Sequence, residues 1–181
     1  MDSISQLTEV LKHTPKSNKI VDLIKIAESQ SCVDIIKQIN LLTGVWELKW
    51  STSKSPFLNY SPLLDNLQII DPERERALNL LRPKVSFGKL FSTNILASLE
   101  IIDQKRINVS FKKAGIIGPK LLGKKISFLS DIRKSQKGWL DTTVLSHELR
   151  ICKGYKGTTF ALIKRNDLSL ADFFSPYLLS Y

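Results

Sequence analysis

The run Gly44-Val45-Trp46-Glu47-Leu48-Lys49-Trp50-Ser51-Thr52-Ser53 decides the fold. Trp46, Leu48 and Trp50 alternate with Val45, Glu47 and Lys49. That two-residue period gives a strand one large apolar face and one mostly polar face. Gly44 lets the chain turn tightly as it enters the sheet. Two indoles on one face fill much of the inside of a small barrel, and Trp50 is expected also to line an occupied cavity.

Upstream of this strand the pattern is helical. Ile4, Leu7 and Val10 or Leu11 recur at helical spacing until Pro15 ends the segment. Ser17 or Asn18 caps a second helix whose stripe is Ile20, Leu23, Ile24 and Ala27. A third helix is expected with Val33, Ile36 and Ile39 or Asn40 on one side, running to Leu42. Three short amphipathic helices do not stand alone in water, so they pack on the outside or an end of the sheet that follows.

Downstream the chain turns to short strands. Residues 54–62 hold Pro56 and Pro62 around Phe57, Leu58 and Tyr60, apolar groups too costly to leave in water. This loop either folds over a core or guards an opening. Residues 67–70 form a strand, 71–76 a charged turn, and 77–81 start the return. Residues 95–102 and 106–111 read as a hairpin in which Ile107, Val109 and Phe111 share a face. Residues 114–123 hold three glycines and a proline and lack the spacing of a phosphate loop. Further strands are expected at 125–129, 138–144, 149–152 and 158–165. The tail from Asp167, with Phe173, Phe174, Tyr177, Leu178 and Tyr181, is expected to cap one end.

About eight to ten locally connected strands without intervening helices exclude a parallel βαβ sheet. A mainly β, antiparallel barrel hides its edges, and at about eight strands its interior is either filled or holds one small ligand. The expected organisation is a single domain over 1–181, with a helical part at 1–42, a barrel at 43–165 and a tail at 166–181.

Composition narrows the partners. A chain 43 % hydrophobic and 24 % charged is an ordinary globular protein. It holds no apolar run long enough for a spanning helix. Its first residues lack the basic patch and apolar run of a secretory signal. Cys32 and Cys152 have no metal-ligand spacing and are expected as free buried thiols in a reducing compartment. The net charge of +10 is uneven: residues 1–40 carry five acids and five bases, while 105–137 carry ten Lys or Arg and one acid, Asp131. Such a field favours an anionic partner. Nucleic acid is the weaker choice, because Phe111 and Phe128 fall in phase with core aliphatics and no glycine–aromatic RNA signature appears.

No catalytic or metal constellation stands out. His13 and His147 are the only histidines, and nothing in the sequence near Cys152 activates it. Arg150 is more informative. It leaves its strand opposite Leu149 and Ile151, and a guanidinium inside a barrel must be paired or otherwise satisfied. Asp141 or Glu148 is a possible partner, Trp46 a possible cation–π surface, and the polar head of a ligand a third. Lys153, Lys156, Lys164 and Arg165 are expected to face water.

Two stretches carry a resemblance. Residues 41–53, with Gly44, Trp46, Leu48 and Trp50, resemble the Leu-x-Gly-x-Trp-x-Leu-x-Tyr-Thr-Ser start of the plastid lipid-associated protein (PAP/fibrillin) family. Residues 138–162, with Asp141-Thr142-Thr143, Leu149-Arg150-Ile151, Gly154, Gly157 and Phe160, resemble its closing signature. Trp50 and Val144 replace tyrosines and Lys153 an arginine; Gln68 and Asn79 fall where the family has Gln and Asn. The chain is similar to compact members such as cyanobacteria have. The resemblance implies a lipocalin-like barrel preceded by helices, associated with thylakoids or lipid droplets and binding carotenoids, quinones or prenyl-lipids. It also implies that the strands bearing Gly44, Trp46 and Arg150 lie near each other and close the barrel.

The resulting expectation is a non-catalytic barrel without cofactor or metal. It would hold a hydrophobic molecule through Trp46, Trp50, Phe57, Tyr60, Phe111, Phe128, Arg150 and Phe160. Gly44, Gln68, Asn79, Asp141, Thr142, Thr143, Gly154 and Gly157 would serve as structural positions. Peripheral contact with an anionic thylakoid membrane on its cytoplasmic side, and no nucleic acid, complete the list of partners. The rivals are a filled barrel docking through its basic face and an enzyme acting on a pigment or lipid. An apolar cavity of at least about 300 Å³ favours the binder over the filled barrel.

Overall fold

The computed structural model describes residues 2–55, 58–84, 91–121, 124–133 and 137–174, with backbone alone at 120, 121, 124 and 125. The nine strands are β1 (Gly44–Ser51), β2 (Leu64–Asp71), β3 (Arg76–Pro83), β4 (Ser92–Ile101), β5 (Arg106–Leu121), β6 (Lys124–Asp131), β7 (Lys137–Leu145), β8 (Leu149–Gly154) and β9 (Thr159–Lys164). All pairings are antiparallel. β1 pairs with both β2 and β9, and β5 with both β4 and β7. Eight strands therefore close into a ring, with β6 attached alongside β5. The strands bearing Gly44 to Ser51 and Leu149 to Ile163 are walls of one barrel.

β5 is the strand that serves two neighbours along one edge. Its first residues, Arg106 to Ser110, pair with β7; from Lys113 onward that edge pairs with β6 instead. The glycine-rich stretch from residue 114 is therefore strand as far as Leu121. A Cβ on Gly115 would lie 1.9 Å from the Phe128 carbonyl oxygen, so this glycine permits close approach of β6. Pro119 falls in the register shift between Ile117 and Lys120, where no ladder N–H is required.

Helices α1 (Ser3–His13) and α2 (Ile20–Gln30) lie on the outside of β7–β9. Asp2 caps α1 by accepting the Ser5 N–H at 2.7 Å. Leu7 and Leu11 of α1 join Ile20, Leu23, Ile24 and Ala27 of α2 against Val144, Leu149, Ile151, Ala161 and Ile163. Glu28 fixes the contact by accepting from Thr143 Oγ1 at 2.7 Å and Lys153 Nζ at 2.8 Å.

The expected third helix is only the turn α3 (Ile39–Leu42). The chain before it is not helical, so Val33 and Ile35, not Ile36, enter the core. With Leu42 they plug one end of the barrel beneath Trp46, and the Ile35 N–H donates to the Gln104 carbonyl at 2.8 Å. Ile36 stays exposed. The tail also departs from expectation. Leu168, Leu170, Phe173 and Phe174 cover the outside of β1–β4, against Val45, Leu67, Ile69, Leu78, Leu80 and Leu96, and do not cap an end. Tyr177, Leu178 and Tyr181 lie outside the described residues.

Candidate functional site

At the closed end of the barrel Gly44 has φ +136°, and a Cβ there would approach Lys164 Cε to 2.9 Å. Glycine thus frees both the turn into β1 and the seat of Lys164. Trp46 is fully buried, its Nε1–H donating to the Leu42 carbonyl at 2.9 Å. The cation over its ring is Lys164, with Nζ 5.1 Å from the centroid, and not Arg150. Lys164 does not face open water as expected: Nζ donates to the Leu41 carbonyl at 2.8 Å, and burial pushes its pKa down.

Above this floor lies a cavity of about 190 Å³. Its apolar wall includes Ile70, Ala97, Leu99, Ile107, Val109, Phe111, Leu140 and Phe160. Leu58, Gly138, Trp139, Tyr155 and Lys156 stand around its mouth, and Gln68, Asn79 and Arg150 supply its polar part. The volume falls short of the 300 Å³ expected, so the space suits one end of a chain-like molecule better than a whole bulky one. A broader groove of about 420 Å³ lies outside the ring by Arg74, Arg76, Lys112 and Phe174. It is open to solvent and of mixed charge, with Glu75 and Asp131 on its walls.

Of the expected ligand contacts, Phe111, Arg150 and Phe160 line the cavity, and Trp46 belongs to the same apolar cluster beneath it. Trp50 does not. The register shift between Leu48 and Trp50 turns it outward against the helices. Phe128 lies on β6, outside the ring, and is 74 % exposed. Tyr60 sits by Lys49, whose Nζ is 5.8 Å from its ring centroid, rather than on the wall. Phe57 lies outside the described residues. Sequence reasoning missed Ile70, Ala97, Leu99 and Leu140. The signal for Ala97 and Leu99 was their alternation opposite Phe111 and Val109 in the β4–β5 hairpin.

Arg150 is 0 % exposed. Its Nη1 donates to Gln68 Oε1 at 3.2 Å, and Gln68 stands opposite Asn79 in the β2–β3 register. Nε and Nη2 meet no acceptor among the described residues. Neither expected carboxylate reaches it: Asp141 is gripped by Arg106 at 2.7 and 2.8 Å, and Glu148 by Lys12 at 3.0 Å. Nearby Cys152 is fully buried; desolvation pushes its thiol pKa up, against the pull of Arg150. Thr142, opposite Cys152, is also buried, and its hydroxyl has no partner among the described residues. Cys32, expected buried, is exposed. Gly154 is buried at the mouth, and Gly157 turns β8 into β9.

An antiparallel eight-stranded barrel with helices on its outside, closed below and hollow above, defines a lipocalin-like fold. The PAP_fibrillin family model matches residues 2–163, and the chain belongs to the PAP/fibrillin family. It is similar to the probable plastid-lipid-associated protein 12, chloroplastic, of Arabidopsis thaliana, at 31 % identity over 165 residues. That alignment takes in 83 % of this chain but spans only 40 % of the relative's length. No solved structure matches the chain. Among the described residues no group of three or more His, Cys, Asp or Glu is placed to hold a metal ion.

Proposed function

We propose that this protein holds the end of a small hydrophobic molecule, a quinone, carotenoid or other prenyl-lipid, inside its barrel. The observation that carries the reading is the apolar cavity, reached from a mouth at Leu58, Tyr155 and Lys156 and closed at the other end. Apolar area removed from water supplies about 25 cal/mol per Å² toward binding. The plastid-lipid name of the Arabidopsis relative agrees with lipid cargo and a photosynthetic setting. We place the protein at the cytoplasmic side of a thylakoid membrane, as a compact, cyanobacterial-type member of its family.

Contact with that membrane is assigned to the β5–β6 arm. Ile116 and Phe128 are cross-strand partners, both exposed, on an arm that also carries exposed Lys112 and Arg133 toward its other end. Each well-placed basic residue contributes about 1 kcal/mol at an anionic bilayer surface. The rival filled-barrel docking module draws on the same arm and on the modest cavity volume.

The test is native mass spectrometry of the protein from a photosynthetic host, with extraction and identification of bound lipid. One lipid per barrel is expected. Ala97→Phe, which pushes a ring into the cavity at about 1–3 kcal/mol of overpacking cost, should empty it. A folded wild-type protein carrying no lipid, and unable to take up added decyl-plastoquinone, overturns the reading in favour of the docking module.

A further inference from the structure

Arg150 holds a permanent charge in the barrel, since a guanidinium does not shed its proton at any ordinary pH. A neutral amide, Gln68, accepts from one terminal nitrogen only. Burying a charge without a counter-charge is expensive, and natural proteins pair such groups or use them on a ligand. The pattern of what is left open is specific. Nε and Nη2 form one edge of the guanidinium, with two parallel N–H groups.

Elsewhere in this molecule that same edge grips a carboxylate, twice. Arg106 donates from Nε and Nη2 to the two oxygens of Asp141 at 2.7 and 2.8 Å. Arg165 donates from Nε and Nη2 to those of Asp167 at 2.7 and 2.7 Å. In Arg150 the matching pair of donors has no acceptor among the described residues, on a residue that lines a mostly apolar cavity. We infer that the ligand carries a carboxylate, seated on the Nε–Nη2 edge of Arg150, with a single apolar chain running toward the mouth.

The dimensions agree. Arg150 lies one residue into β8 from the closed end and Gly154 at the mouth, about 13 Å apart along an extended strand. A volume of about 190 Å³ takes one chain and leaves no room for a second beside it. The cargo class is therefore a single-chain lipid acid, whether straight or prenyl in its carbon skeleton. This rests on the reading that the cavity binds lipid at all.

The test is isothermal titration of the delipidated full-length chain with palmitate, 1-hexadecanol and decyl-plastoquinone. Palmitate should bind at least about tenfold tighter than hexadecanol, the margin that charge-assisted hydrogen bonds supply. Arg150→Met should bring that ratio to about one while hexadecanol affinity holds or improves. Arg150→Lys, which keeps the charge and loses the fork, should fall between them. Should neither variant fold, the wild-type ratio still decides. Equal binding of palmitate and hexadecanol overturns the carboxylate and leaves the lipid reading intact, as does binding of decyl-plastoquinone alone. Binding of none of the three overturns both.

Discussion

Two groups of buried charge lie on opposite sides of the barrel wall, and they are treated differently. On the outside of β1 and β2, Glu47 and Asp65 are 4 % and 5 % exposed. Glu47 meets Lys84 at 3.0 Å, Lys49 at 3.1 Å and Arg165 at 3.4 Å; Asp65 meets Arg82 at 3.0 Å. Arg165 joins the two carboxylates and also holds Asp167. On the inside, Arg150 has one neutral acceptor. A charge that serves the fold is surrounded by opposite charge from neighbouring strands. One left half-satisfied in a hollow is what the proposed ligand would complete.

That contrast is open to attack by experiment. The largest effect is expected from Arg165→Met, which strips the cation bridging Glu47 and Asp65. A loss of about 3 kcal/mol is predicted, read as a lower urea midpoint at unchanged m-value. Arg150→Met should do the opposite. Replacing an uncompensated buried charge by an apolar side chain of similar length is predicted to raise stability by about 1–2 kcal/mol in the same titration. A large destabilisation there would mean that Arg150 is structural after all.

The smallest effect concerns pH. Burial pushes the Glu47 carboxyl up, but Lys84 and Lys49 outweigh it and hold it below its usual 4.5. The hydrogen bonds from Arg165 hold Asp167 at about 2 against its usual 3.8. A carboxylate with a depressed folded-state pKa contributes stability above its unfolded-state value and loses it as pH falls through the folded one. The outer cluster should thus weaken progressively below about pH 4.5. Glu47→Gln should flatten the fall measured by thermal melts between pH 6 and pH 3. Arg150→Met should leave its slope unchanged.

The sequence made some of this legible and hid the rest for physical reasons. The alternation of Trp46 and Leu48 and the β4–β5 hairpin are local patterns, and they hold. Trp50 is misread because one irregularity near Lys49 flips every later side chain, and that shift is set by the partner strand β9. Phe128 has a core-like phase, yet its strand lies beside the ring, and no local pattern reports which strands close a ring. Residues 114–121 look broken because Gly115 and Pro119 are usual strand breakers; here each answers a demand of β6. Ile35 replaces Ile36 in the core because a plug does not need helical spacing. For Arg150 the inward direction followed from Leu149 and Ile151, but its lack of a carboxylate depended on Arg106 and Lys12, distant in the chain.

Val33, Ile35 and Leu42 stopper one end, which makes the barrel a blind socket and not a tunnel. Whatever goes in head first must back out tail first through the same doorway. On the proposed reading, collection and surrender of cargo would both happen at one rim, and the chain would be a keeper whose grip sets the timing and not a conduit.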